Sequence, residues 1–461
     1  MSQTEQSKIL NLLDSINFKD LNHFHPNSVL ELLKKFESDF PDKFQFKEMG
    51  RSRNNQPIFG VIVGDCHHNP IIAVTGNCHA EEAIGTTTIL KLAESLLYTE
   101  AGREVLNQVA FISIPQANPD GTLLNWNWLQ KKYPTYRDYL LYAHRDNRSE
   151  DIEHGIPLPS TEQKIRPETL AITEFYQRFS QIKYYVSLHS SNLSAFSYTG
   201  ASFFLVHGDL KRQVCDFLIE YSQAIPLALN NEDNNGMGGL RFIERGFYST
   251  FTFAEMRSKM LLGGDKERVS KFKLNTPEYV EQKCNCSVSM VSEISYFEIE
   301  KLRDLTPASN QSMSGDRAHI KTQLVKIEEE NASIVHKILH EDISEAISSP
   351  TLDFYREKSK WMVGNIAGRL KDCEKLKETP VLEKDILDLK YRPLRLRAET
   401  MAMMVKLSNE IALPAELDQV NYLDEFHLTC DAIDRIVQVK PVPFANQVKG
   451  QAALILSGLL L

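Results

Sequence analysis

The period of the apolar positions changes twice along the chain. At the start, "SKILNLLDSI" and "NSVLELLKKFESDF" repeat at helical spacing and predict two short helices followed by polar turns. From about residue 58 the texture becomes continuous apolar runs: "PIFGVIVG", "NPIIAVTGN", "QVAFISIPQ" and "IKYYVSLHS". Between them lie the helical patterns "AEEAIGTTTILKLAESLL" and "PETLAITEFYQRFS", the second with Pro167 suited to a first turn. Strands without polar alternation, separated by helices of ten or more residues, are buried on both faces, as in a mostly parallel sheet. After the polar stretch "LTPASNQSMSGDR" the helical period returns, with Ile320, Leu324, Ile327, Ile334, Ile338 and Leu339 on one face. A third helical stretch of this region is expected to break at Pro393. The chain therefore divides into a helical extension over 1–57, an α/β domain over 58–304 and a C-terminal all-α subdomain over 318–461. The expected fold class is α/β, a mixed and mostly parallel sheet with helices on both faces.

Composition narrows the function classes. The 461 residues are 42% hydrophobic and 25% charged, ordinary for a globular chain. A net charge of −9 argues against a nucleic-acid partner, which would need a basic face. No run reaches the roughly 18–20 apolar residues that span a bilayer, and the closing "AALILSGLLL" is expected to be a buried strand or helix. The first residues lack the basic, apolar and small-residue zones of a signal peptide. Seven cysteines do not form a disulfide framework. Together these point to a cytoplasmic protein without a membrane partner; no oligomeric state is set.

Candidate chemistry begins at "AVTGNCHAEEAIG". His79 and Glu82 stand three apart where a buried strand ends, a poor place for packing and a good one for gripping a cation. Imidazole nitrogen and carboxylate oxygen suit Zn²⁺, which catalytic sites hold through three protein ligands. A third ligand belongs at the end of another strand, since open α/β sheets place their sites there. His189 in "YYVSLHSSNLS" stands at such an exit.

These motifs, with "NPDG" at 118–121 and "RDNR" at 145–148 between them, resemble in order those of the carboxypeptidase A-like zinc metallopeptidases, over roughly residues 50–300. The resemblance implies an eight-stranded mixed sheet, one zinc per chain held by His79, Glu82 and His189, and a peptide substrate with a free terminal carboxylate. That carboxylate would be gripped by Asn147 and Arg148, with Arg145 as a further clamp, because a planar guanidinium matches a carboxylate bidentately. The alternative for this loop is a solvated segment whose arginines pair with Asp146, Glu150, Asp151 and Glu153. "NPDG" itself reads as a tight turn shaping the floor near the metal.

The proton acceptor is expected to be Glu293, in the strand-like "SVSMVSEISYF", rather than Glu255. Thr252-Phe-Ala-Glu255 is a capping box, so Glu255 opens a helix that ends at Gly263-Gly264. Tyr248 lies in a segment longer than the family pattern, and no tyrosine there is identified as gripping substrate. The function expected is a zinc metallocarboxypeptidase. The alternatives are a zinc deacylase acting on small N-acyl amino acids, and an inactive scaffold that binds through its helical region. "GDCHHNP" is expected to be a surface loop and His23 with His25 surface residues, while "CNC", without a second pair, is too little for a structural zinc site.

Overall fold

The computed structural model describes residues 3–19, 21–147, 150–157, 164–193, 196–200, 202–203, 209–231, 240–262, 273–308, 317–377 and 379–461. They fall into two compact units, one of residues 1–132, 149–296 and 442–461, the other of 133–148 and 297–441. The span 318–461 is thus divided: its last twenty residues belong with the α/β unit.

The sheet is mixed. Its strands are β1 (Phe44–Arg51), β2 (Pro57–Val63), β3 (Ile71–Gly76), β4 (Ala110–Ile114), β5 (Ile182–Leu193), β6 (Ser197–Gly200), β7 (Leu240–Glu244), β8 (Phe247–Thr250) and β9 (Val288–Glu298), in the order β1-β2-β4-β3-β5-β9-β6-β8-β7. A two-residue strand β10 (Lys440–Pro441) pairs with the end of β9, so the described sheet has ten strands rather than eight. Parallel pairing joins β3 to β4 and to β5, the apolar runs legible in the sequence. Strand β1 was not expected, because "FQFKEMGR" is polar on the face that β1, as an edge strand, leaves uncovered.

Two apolar cores line the sheet. One gathers the N-terminal helices Gln3–Ser15 and Pro26–Asp39, the helix Ile84–Tyr98, and the closing helix Phe444–Leu456 with the residues after it. The other gathers the helices Pro167–Tyr176 and Thr276–Lys283. The even-numbered Tyr184, Val186 and Leu188 of β5 and Val288, Met290 and Ile294 of β9 all enter the first core. Since successive strand residues alternate faces, the odd-numbered His189 and Glu293 share the opposite face of two adjacent strands.

The second unit is built on the helices Arg317–Lys337, Pro350–Cys373, Glu383–Glu410 and Tyr422–Ile436. Leu339, Leu352, Met403, Met404 and Leu407 form its main apolar cluster, and Ile320 with Leu324 a smaller one. Ile334, expected on the buried face, is 57% exposed. Glu383–Glu410 runs unbroken through Pro393. Beside the proline, Arg392 pairs with Asp388 and with Glu328 of a neighbouring helix, and such tertiary anchoring offsets the lost backbone bond. No helix among the described residues is long and apolar enough to cross a membrane.

Candidate metal centre

The first two candidate ligands occupy a bend between β3 and the following helix. The helix begins at Ile84, so His79 and Glu82 precede it instead of riding on it. Asn77 takes a left-handed backbone (φ 56°), which asparagine tolerates, and turns the chain out of the sheet. Its amide donates to the His79 carbonyl at 2.9 Å, and its own oxygen accepts from Thr122 Oγ1 at 2.7 Å.

"NPDG" is the start of a helix, Pro119–Leu124, not a tight turn. Asn118 caps it by accepting from the Gly121 N–H at 2.8 Å, with Pro119 in the first helical position. Gly121 is needed for closeness. A Cβ there would sit 2.5 Å from Ala80 Cα, next to His79. Asp120 is buried and accepts from Ser52 Oγ at 2.7 Å and the Asn54 N–H at 3.0 Å, fixing this helix beneath the ligand loop.

His189 enters from β5, and the three groups meet. Nδ1 of His79 is 3.0 Å from Glu82 Oε1, Nδ1 of His189 is 2.9 Å from Glu82 Oε2, and the two Nδ1 atoms are 3.1 Å apart. Tetrahedral zinc with bonds of about 2.0–2.1 Å would space its ligand atoms at about 3.3 Å. The donor set, two imidazoles and one carboxylate, therefore fits zinc in chemistry and closely in spacing. Glu82 and His189 are buried, and His79 is nearly so, its side chain 12% exposed.

The far nitrogens of both imidazoles face carboxylates that no motif in the sequence singles out. His79 Nε2 is 3.2 Å from Asp151 Oδ2, and His189 Nε2 is 3.0 Å from Glu153 Oε2. Asp151 also closes its own turn, its Oδ1 accepting from the Glu153 and His154 N–H groups at 2.9 and 3.0 Å. Glu153 accepts from Ser187 Oγ at 2.6 Å. Such partners hold each ring with its Nε2 protonated, which leaves the Nδ1 lone pair for a metal. The alternative for this loop pairs Asp151 and Glu153 with its arginines; in the fold these two acids stand behind the imidazoles instead. The available signal was the run Glu150, Asp151, Glu153, more acid than the loop's arginines can pair.

Electrostatics follow from burying three carboxylates around two rings. Burial opposes ionisation of Glu82, but His79 and His189 outweigh it and hold its carboxyl well below the usual range. Burial is likewise overcome at Asp151 by His79 and His154, and at Glu153 by His189, which brings the latter down to about 2. For His189 burial favours the neutral ring, yet Glu153 and Glu82 raise its pKa well above the ordinary value. The cluster thus attracts positive charge, which protons supply when no cation does.

Glu293 lies on β9, half-buried, on the face it shares with His189; two residues further along each strand Ser191 and Ser295 are in contact, their hydroxyls 3.1 Å apart. Glu255 sits in the helix Phe253–Leu262, with Thr252 and Glu255 capping one another and Arg241 Nη2 donating to its other oxygen at 3.0 Å. The helix stop expected at Gly263-Gly264 lies outside the described residues. Arg145 and Asn147 belong to the second unit, Arg145 exposed and Asn147 half-buried, and Arg148 lies outside the described residues. Tyr248 is fully buried in β8, its ring 5.6 Å from that of Phe242, and is a core residue.

The residues expected to be inert divide. Asp65 pairs with His68 in an exposed loop, and the Cys284 and Cys286 thiols are buried and unbridged. His25 accepts from the Asn27 N–H and caps the helix Pro26–Asp39. His23 is half-buried, its ring packing 4.6 Å from that of Phe444 and 6.4 Å from those of Trp128 and Tyr296.

The fold and the site together define an α/β domain with a His/Glu/His centre at the exits of adjacent parallel strands. Residues 29–203 match the family described as zinc carboxypeptidase. Two proteins of Ajellomyces capsulatus, both named "Inactive metallocarboxypeptidase ECM14", are similar to parts of it. One (strain NAm1 / WU24) is 30% identical over 150 residues, covering 30% of this chain and 23% of the relative. The other (strain H143) is 32% identical over 115 residues, 23% and 19%. The matched part spans less than a quarter of those relatives' length. Among solved structures, a metallo-carboxypeptidase from Burkholderia cenocepacia is similar over 58% of this chain and 60% of its own, at 13% identity and a TM-score of 0.38. Carboxypeptidase A from Helicoverpa armigera is similar over 80% and 81%, at 12% identity and a TM-score of 0.37.

Proposed function

We propose that the protein is a zinc-dependent metallocarboxypeptidase that releases the terminal residue of a peptide. The observation that carries this reading is the approach of His79 Nδ1, His189 Nδ1 and the Glu82 carboxylate to within 2.9–3.1 Å of one another. When bound there, zinc supplies a Lewis acid for the scissile carbonyl and lowers the pKa of a water towards about 7. Asp151 and Glu153 orient the two rings by accepting their Nε2–H protons. Glu293 takes the proton of the attacking water on its carboxylate and passes it to the leaving nitrogen. Recognition of the substrate's free carboxylate is assigned to Arg145, Asn147 and Arg148 from the "RDNR" motif alone.

A second reading is a domain that holds zinc without turning over peptides. It is favoured by the name "inactive" carried by the similar A. capsulatus proteins. Zinc content of the purified chain and release of amino acids from peptides with free or amidated C-termini separate the readings. One zinc per chain with release only from the free-carboxylate peptides supports the enzyme. One zinc and no release from peptides or N-acyl amino acids supports the silent domain. A chain that refuses zinc overturns both.

A further inference from the structure

Gln451 lies on the closing helix Phe444–Leu456 and is completely buried. A buried amide must place its polar atoms or lose stability. Here Oε1 accepts from Thr88 Oγ1 at 2.7 Å, while Nε2 donates to the His189 carbonyl at 3.1 Å and lies 3.4 Å from Ser292 Oγ. Ser292 Oγ in turn accepts from the His189 N–H at 3.3 Å. The partners stand on three elements that each carry part of the site. Thr88 is on the helix entered directly from Glu82, His189 is the ligand on β5, and Ser292 immediately precedes Glu293 on β9.

From this geometry we infer that Gln451 is a positioning residue: it ties the ligand-bearing strand β5 to the helix behind His79 and Glu82 and to the strand bearing Glu293, and so sets the spacing of the metal ligands. The inference rests on the metal-site reading above. An apolar residue could fill the same volume, but it could not hold the His189 main chain at a set distance from Thr88. Ligand spacing of a few tenths of an ångström matters to a cation, because metal–ligand distances are fixed within about 0.2 Å.

The test uses the full-length chain, with Zn²⁺ affinity measured by chelator competition and coordination geometry read from the visible absorption of the Co²⁺-substituted protein. Gln451→Met keeps length and burial while removing the amide. It is expected to weaken zinc about tenfold or more, the scale of losing an outer partner of a ligand, and to alter the cobalt spectrum. Thr88→Val, which is isosteric and frees the Gln451 carbonyl, should shift both in the same direction by less, and carries the test if Gln451→Met does not fold. Gln447→Met is the control. It deletes a buried amide of the same helix that donates only to the Val442 carbonyl at 2.8 Å, and should lower the urea midpoint while leaving affinity and spectrum unchanged. Parent-like affinity and spectrum in both Gln451→Met and Thr88→Val would overturn the inference and leave the metal site standing. A parent chain that binds no zinc would overturn the metal-site reading and this inference with it.

Discussion

His189 touches Glu82 through one ring nitrogen and Glu153 through the other, so replacing either acid has a distinct consequence. Glu153→Gln can still accept the Nε2–H, though without charge, and zinc affinity is expected to fall 10–100-fold, as chelator competition would show. Glu293 holds no metal in the proposed arrangement. Glu293→Gln should therefore keep one zinc per chain and lose at least about 100-fold in kcat; unchanged turnover would remove Glu293 from the mechanism. Glu255→Ala removes the side chain that closes the capping box with Thr252, a helix cap worth about 1 kcal/mol, and should move the urea midpoint without moving the rate.

The short helix Pro119–Leu124 shows how one element serves another. Its Gly121 lies against Ala80 so closely that no side chain fits, and the contact is with backbone, which cannot swing aside. Gly121→Ala is expected to cost about 1–3 kcal/mol through overpacking and to push the His79 loop outward. Denaturant titration and zinc competition on the same variant would show both effects, and a variant with parent zinc affinity would contradict this role. The helix Phe444–Leu456 is a second such element. Residues 452–456 are all 0% exposed, so the last residues of the chain complete the first core as well as holding Gln451.

Stability of the whole metal-free chain should carry the signature of the charge cluster. Glu82, Asp151 and Glu153 have folded-state pKa values below their unfolded ones. Their contribution is present above the ordinary carboxyl range and lost as pH falls from about 5 towards 2. The His189 pKa is raised, so its contribution is full below about 6.5 and lost as pH rises through the folded value. The urea midpoint of chelator-treated protein should thus be highest between about pH 5 and 6.5, and saturating zinc should remove the alkaline fall by taking the place of the proton on His189. A metal-free midpoint that keeps rising with pH beyond this window would contradict the paired geometry.

Sequence pattern by itself determined the central strands, the flanking helices, the helical texture after residue 317 and the two strand exits carrying His79, Glu82 and His189. Those features depend on local periodicity and on chemistry that a strand end makes available to its own neighbours. Tertiary structure alone decided which acids stand behind the imidazoles, that Gly121 presses on the His79 loop, that His23 is packed among aromatic rings, and that the final helix returns to the α/β unit to hold His189 from behind. Each of these joins residues tens to hundreds of positions apart, and nothing in local period or propensity encodes which distant groups packing will bring within bonding distance.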